Sequence, residues 1–164
     1  MSSSPFTLWL TGPEPAAALP IADEIARRLA ARHVSVESLD ARTSGIETVG
    51  ADGVAFVARV LARHGIATVV ALPAGRRVRE RARQEIGRLI EVHVHPAGRA
   101  AAGYEPPERA EVEIVLPEPS PGAGVERTLR TLEVLKLLVR DEESAYSEEE
   151  EREVIRRLKA FGYL

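Results

Sequence analysis

Phe6-Thr7-Leu8-Trp9-Leu10-Thr11, followed by Gly12-Pro13-Glu14-Pro15-Ala16-Ala17-Ala18-Leu19-Pro20, is the stretch that decides the fold. Its first six residues form a near-continuous apolar, β-prone run, which predicts a strand covered on both faces. A Pro/Ala-rich turn follows. Ile21, Ile25 and Leu29 then recur at i, i+4 and i+8, so the spacing predicts a helix from about Pro20 to His33. Pro20 suits the first helical position, and Asp23 and Glu24 suit the first turn, where the helix dipole favours carboxylates.

The alternation continues outward. Val34–Leu39 reads as a second strand, and Asp52 can cap a helix carrying Val54, Val57 and Leu61 that stops at His64-Gly65. Ile66–Leu72 is the third strand. Pro73-Ala74-Gly75 leads into a basic helix with Val78, Ala82 and Ile86 on its inner face. Leu89–Val94 and Val112–Leu116 are the fourth and fifth strands. Val125, Leu129, Leu132, Leu135 and Val139 mark a long amphipathic helix, and Ser147 with Glu150 forms a capping box opening a last one. Strands alternating with helices predict an α/β fold, a five-stranded parallel sheet flanked by helices, with an added C-terminal helix.

Composition narrows the chemistry. The chain has 164 residues, 22 Lys+Arg against 25 Asp+Glu, and a formal net charge of −3. A slightly acidic balance argues against nucleic acid as the main ligand. No run approaches the ~20 apolar residues of a membrane helix, and the opening Met-Ser-Ser-Ser-Pro does not read as a signal peptide. Cytoplasmic localisation is the expectation. Without cysteine, disulfides and thiolate chemistry are closed. Asparagine is also missing, and the only lysines are Lys136 and Lys159.

From Phe6 to Gly12 the chain resembles the opening of adenylylsulfate (APS) kinases, whose first strand runs into a Gly-rich P-loop ending in Lys-Ser-Thr. Further similarities follow in order: Val36-Glu37-Ser38-Leu39-Asp40, Ala62–Leu72, Pro73–Arg83, Glu91-Val92-His93-Val94 and Tyr104-Glu105-Pro106-Pro107. The resemblance spans about residues 5 to 140 and implies a P-loop kinase fold. It also implies what is changed. With Gly12 at the first P-loop glycine, Ala18 stands at the lysine, Leu19 at the Mg²⁺-binding hydroxyl, and Pro15 and Ala17 at the other glycines. A P-loop works because successive N–H groups point at phosphate oxygens while lysine spreads the charge. Pro13, Pro15 and Pro20 have no N–H to donate, and Glu14 sets a carboxylate in the cradle. Ala41-Arg42 follows Asp40 where the family has Gly-Asp, and only Pro96–Gly103 occupies the place of the family's lid.

The candidate anion or ligand contacts are Arg42, Arg76, Arg77 and Tyr104. Arg76 and Arg77 begin the basic helix, with Arg79, Arg81 and Arg83 beyond them; a solvated face paired with Glu80 and Glu85 is the competing reading. Arg42 is expected to pair with Asp40 or Glu14 rather than a ligand. Tyr104-Glu105-Pro106-Pro107 is a base-binding wall by resemblance and a rigid turn by its own chemistry. His93 and His95 share one strand face, a spacing able to chelate a metal. No third ligand is evident nearby in sequence, so they read as structural, and no metal or cofactor is expected. His33 and His64 read as caps at helix C-termini.

These readings divide the chain into an APS-kinase-like domain, 1–140, and a C-terminal helical tail, 141–164. They lead to a catalytically inactive domain with a regulatory or structural role linked to sulfate assimilation or nucleotide handling. A sulfonucleotide is the possible effector. The alternatives are a dimerisation or interaction module using the C-terminal helices, with a second copy or an enzyme as partner, and a divergent APS kinase or nucleotide phosphotransferase. Neither nucleic acid nor membrane is an expected partner.

Overall fold

A computed structural model describes residues 4–98, 101–140 and 147–164. Strands β1 (Thr7–Thr11), β2 (Val36–Asp40), β3 (Ala67–Ala71), β4 (Leu89–Pro96) and β5 (Val112–Leu116) form one sheet in the order β2-β3-β1-β4-β5. Every pairing is parallel. The helices are α1 (Pro15–Ala31), α2 (Ile46–Arg63), α3 (Arg76–Ile86), α4 (Ala123–Val134) and α5 (Glu148–Ala160).

Side-chain alternation along each strand separates two cores. Leu8 and Leu10 of β1 join Ile90, Val92 and Val94 of β4 beneath α1 and α4. Trp9 points to the opposite face and packs with Leu39, Val70, Val54 of α2 and Ala82 of α3. Its indole N–H donates to the Leu72 carbonyl at 3.2 Å, so this fully buried ring leaves no orphaned donor. The central strand is therefore apolar on both faces, as its sequence predicts.

Helix α1 begins five residues before the expected start. Pro15 takes the first turn, and Ala18 extends the buried stripe of Ile21, Ala22, Ile25 and Leu29 by one turn. The helix gains that burial and three good helix formers, Ala16 to Ala18. Pro20 lies inside the helix on an exposed face, and Asp23 and Glu24 lie beyond its first turn.

Other boundaries move for local reasons. Gly50, at φ 66° and ψ 175°, breaks α2. Asp52 lies inside α2 rather than at its cap, and its carboxylate accepts from Arg81 of α3 at 2.9 Å. Helix α4 ends at Val134 rather than near Val139, because Lys136 adopts a left-handed φ of 58° and the Leu137 N–H returns to the Leu132 carbonyl. Leu137 and Leu138 are nevertheless buried, while Val139 is exposed. His33 also takes a left-handed φ of 59° just after α1, and His64 is the C-cap of α2.

Helix α5 opens with the expected capping box, Ser147 and Glu150. It packs on α4. Val154 and Leu158 are its buried positions, and Glu151 pairs with Arg130 of α4. Burying a leucine such as Leu158 is worth about 1.5–3 kcal/mol, which stabilises the packing of α5 on α4. Residues 141–146 of the expected tail and Arg99 and Ala100 of the Pro96–Gly103 segment lie outside the described residues.

Candidate functional site

In a parallel sheet of this kind, ligands gather beyond the carboxyl ends of the strands. Here β1 and β3 end on a cleft of about 660 Å³ whose walls include Thr11, Gly12, Gly75, Arg79 and Tyr104. The connection from β1 to α1 is only Gly12-Pro13-Glu14. Gly12 has a specific reason to be glycine: a Cβ there would overlap the Val94 carbonyl oxygen of β4. Glu14 is the N-cap of α1, but its side chain makes no capping hydrogen bond. Ala18 faces the apolar core rather than the cleft.

The sequence-predicted contacts divide into separate places. Arg42 reaches not Glu14 but two aspartates: Nη2 donates to Asp40 at 2.7 Å and to Asp23 at 2.6 Å. The hydrogen bond from Arg42 holds the Asp40 carboxyl below the usual carboxylate range, against burial, and does the same for Asp23. Arg76 donates to Glu108 at 2.7 Å and lies 3.8 Å from Glu80, and Arg77 is exposed. Tyr104 alone of the four lines the cleft, its hydroxyl 3.2 Å from the Thr11 hydroxyl. Burial pushes its phenol above the usual value, with the Thr11 hydrogen bond opposing.

The basic helix is not a uniformly solvated face. Arg79 and Ala82 are its buried residues, whereas Val78 and Ile86, expected on the inner side, are only half-buried. Arg79 Nε donates to Glu91 of β4 at 2.9 Å, and its Nη2 donates to the Glu105 carbonyl at 2.8 Å. The Ala74 carbonyl takes a third hydrogen bond. Arg83 spans Glu91 at 2.9 Å and Glu111 at 2.5 Å, and the Tyr163 hydroxyl donates to Glu111. Buried charges need such pairing, because desolvation otherwise costs several kcal/mol per ion.

A second constellation sits at the carboxyl edge of β4 and β5. Thr11, His93 and Glu113 lie side by side across β1, β4 and β5 through the sheet register, and His95 follows two residues along the same face. The imidazoles of His93 and His95 stack with centroids 4.3 Å apart, and Tyr104 stacks on His93 at 5.8 Å. Glu113 Oε1 is 3.5 Å from His93 Nδ1 and 3.6 Å from His95 Nε2. Potential ligand atoms of all three residues fall within 4.8 Å of one another. Burial and the neighbouring His95 hold the His93 imidazole below its usual pKa, outweighing Glu113. For Glu113 burial pushes upward, but Arg157 and the imidazoles prevail and hold its carboxyl low. The sequence displays the His-x-His spacing; Glu113, eighteen residues beyond His95, joins it only through strand register.

No protein-family model matches the chain. It is 30% identical, over an alignment of 170 positions covering 81% of this chain and 98% of the relative, to a Pyrococcus abyssi protein described as a "Probable adenylyl-sulfate kinase". Among solved structures, it is similar to the hexameric APS kinase from Thiobacillus denitrificans, with a TM-score of 0.58, 21% identity, and coverage of 99% of this chain and 30% of that one. The Mycobacterium tuberculosis APS kinase CysC in complex with AMPPNP and APS is similar at a TM-score of 0.53 and 15% identity, covering 96% of this chain and 99% of that one. These structures share the α/β P-loop kinase fold with it.

Proposed function

This chain belongs to the adenylyl-sulfate kinase family, and from that premise we propose that it does not transfer phosphate. Its role is regulatory or structural, linked to sulfate assimilation or nucleotide handling. The observation that carries this reading is the three-residue connection Gly12-Pro13-Glu14 between β1 and α1. Phosphoryl transfer rests on positioning and on neutralising phosphate charge. A P-loop supplies both with a long run of backbone N–H groups and a lysine at the helix start. In this chain the helix has already begun at Pro15, the lysine position is a core alanine, Ala18, and the turn carries Glu14.

The neighbouring charges support the same reading. Asp40, at the end of β2, is engaged by Arg42 through both carboxylate oxygens. Arg79, the arginine lining the cleft, already donates to Glu91, Ala74 and Glu105. A second reading, a divergent APS kinase or nucleotide phosphotransferase, draws on the cleft itself, which persists at the strand ends with the Thr11 and Tyr104 hydroxyls in its wall. A sulfonucleotide is the effector class that the family relationship suggests for that space.

Incubation of the purified protein with Mg-ATP and APS, followed by chromatography of the nucleotides, separates the readings. Non-phosphorylating function predicts no ADP and no phosphorylated product, and thermal stabilisation by a sulfonucleotide alone supports the effector role. Mg²⁺-dependent turnover that disappears in Asp40→Ala would establish the phosphotransferase instead.

A further inference from the structure

We propose that His93, His95 and Glu113 form a binding site for a first-row divalent metal ion, zinc(II) foremost. Two imidazoles and a carboxylate are a donor set suited to zinc, whereas Mg²⁺ favours all-oxygen surroundings. Bonds of about 2.0–2.2 Å in a tetrahedral site place neighbouring donors roughly 3.3–3.5 Å apart. The two separations involving Glu113 Oε1, 3.5 and 3.6 Å, are close to that edge. The remaining separation lies within 4.8 Å.

The hydrogen bonding supplies a second, independent reason. His95 Nδ1 is 2.9 Å from the Pro96 carbonyl, an acceptor, so Nδ1 carries the proton in the neutral ring. Nε2 is then a bare lone pair, buried and without a hydrogen-bond partner among the described residues, and it faces a carboxylate oxygen. Two acceptors held together in a partly dry site need a shared cation. A backbone carbonyl fixing the tautomer of a ligating histidine is also the usual outer support of a metal site. His93 is itself buried, at 7% exposure, and offers Nδ1 to the same Glu113 oxygen.

A proton could bridge one imidazole–carboxylate contact; a divalent ion bridges both at once. Glu113 Oε2 lies 3.4 Å from Arg157 Nη1 of α5, which orients the carboxylate and leaves Oε1 to the metal. The site borders a cavity of about 210 Å³ whose walls include Pro13, Tyr104 and Pro106. Three protein ligands and an adjacent cavity leave the fourth coordination position to water or a small anion. This inference is independent of whether the chain transfers phosphate.

The test uses the full chain, freed of metal with a chelator and titrated calorimetrically with Zn²⁺, with Co²⁺ as the visible-absorption probe. One equivalent of Zn²⁺ is expected, together with a Co²⁺ ligand-field band that Zn²⁺ displaces. His95→Ala and Glu113→Gln should each weaken binding by more than about 100-fold, beyond the 10–100-fold typical of an outer-shell change. The chain contains only two other histidines, His33 and His64, and no cysteine, so a His33→Ala/His64→Ala protein is expected to bind like the parent. Glu113→Gln, at a half-exposed position, carries the test if His95→Ala loses its fold by circular dichroism. Absence of saturable Zn²⁺ binding, binding that survives Glu113→Gln, or binding lost with His33 and His64 would overturn the proposal.

Discussion

The Arg79 guanidinium of α3 donates from Nε to Glu91 Oε1 of β4 at 2.9 Å, with the two side chains only 2% and 7% exposed. Glu91 Oε2 accepts from Arg83, which also holds Glu111, and the Glu91 backbone N–H donates to Glu111 at 2.6 Å. The arginine in the wall of the cleft is thus part of the fold's internal charge balance.

Arg79→Ala should therefore destabilise the protein by about 1–3 kcal/mol, since it leaves Glu91 Oε1 buried without its donor while Arg83 still holds Oε2. Arg79→Met combined with Glu91→Leu should recover most of that loss, because the pair as a whole gains little over apolar packing. Urea unfolding midpoints measure both; a midpoint for Arg79→Ala within error of the parent argues that the pair is not buried.

Gly12→Ala should cost about 1–3 kcal/mol, the range for overpacking. The added methyl meets the Val94 backbone carbonyl, which cannot rotate away as a side chain could. Equal stability of Gly12→Ala and parent in chemical denaturation would mean that β1 and β4 separate easily at this edge.

Arg42→Ala should weaken the protein at neutral pH but not in strong acid. Asp40 and Asp23 have pKa values lowered below the ordinary 3.8 by the Arg42 hydrogen bonds. A lowered carboxylate contributes stability above its unfolded pKa and loses it as pH falls through the folded value. The stability difference between parent and variant, followed from pH 7 downward, should shrink below pH 3.8. A difference independent of pH would assign Arg42 a packing role instead.

Tyr163 should titrate late. Burial and the nearby Glu111 carboxylate push its phenol up to about 12. A raised phenol pKa stabilises the folded state fully below the unfolded value of about 10, and that contribution is lost as pH rises from there toward 12. Ultraviolet titration should show a tyrosinate phase near pH 12 that vanishes in Tyr163→Phe while the raised Tyr104 phenol still titrates; retention of the phase near 12 in the variant would exclude Tyr163 as its source.

Leu158→Ala should cost about 2–5 kcal/mol and leave a single unfolding transition. Leu158 is fully buried in a helix packed on α4, so α5 should unfold with the rest. Loss of α5 helicity in a separate, earlier transition would show instead an independently held tail.

Periodicity carries most of the fold. Leu8, Trp9 and Leu10 demand a strand covered on both sides, and Ile21, Ile25 and Leu29 demand a helix, because buried faces repeat at fixed intervals along each element. The start of α1 was less legible. Pro20 reads as a first-turn proline, but burial of Ala18 and helix-forming Ala16 and Ala17 extend the helix back to Pro15. Arg79 was hidden for a different reason: an arginine within a run of arginines reads as part of a solvated face until its counterion is seen on β4.

The sequence by itself determined the sheet, its helical layers and the absence of a lysine near the first turn, all properties of local order along the chain. Only the tertiary structure decided that Glu91 and Glu111 neutralise the basic helix, and that Glu113 stands opposite His93. The reason is physical: periodicity specifies which face of an element is buried, whereas strand register and helix docking specify which distant charges meet there.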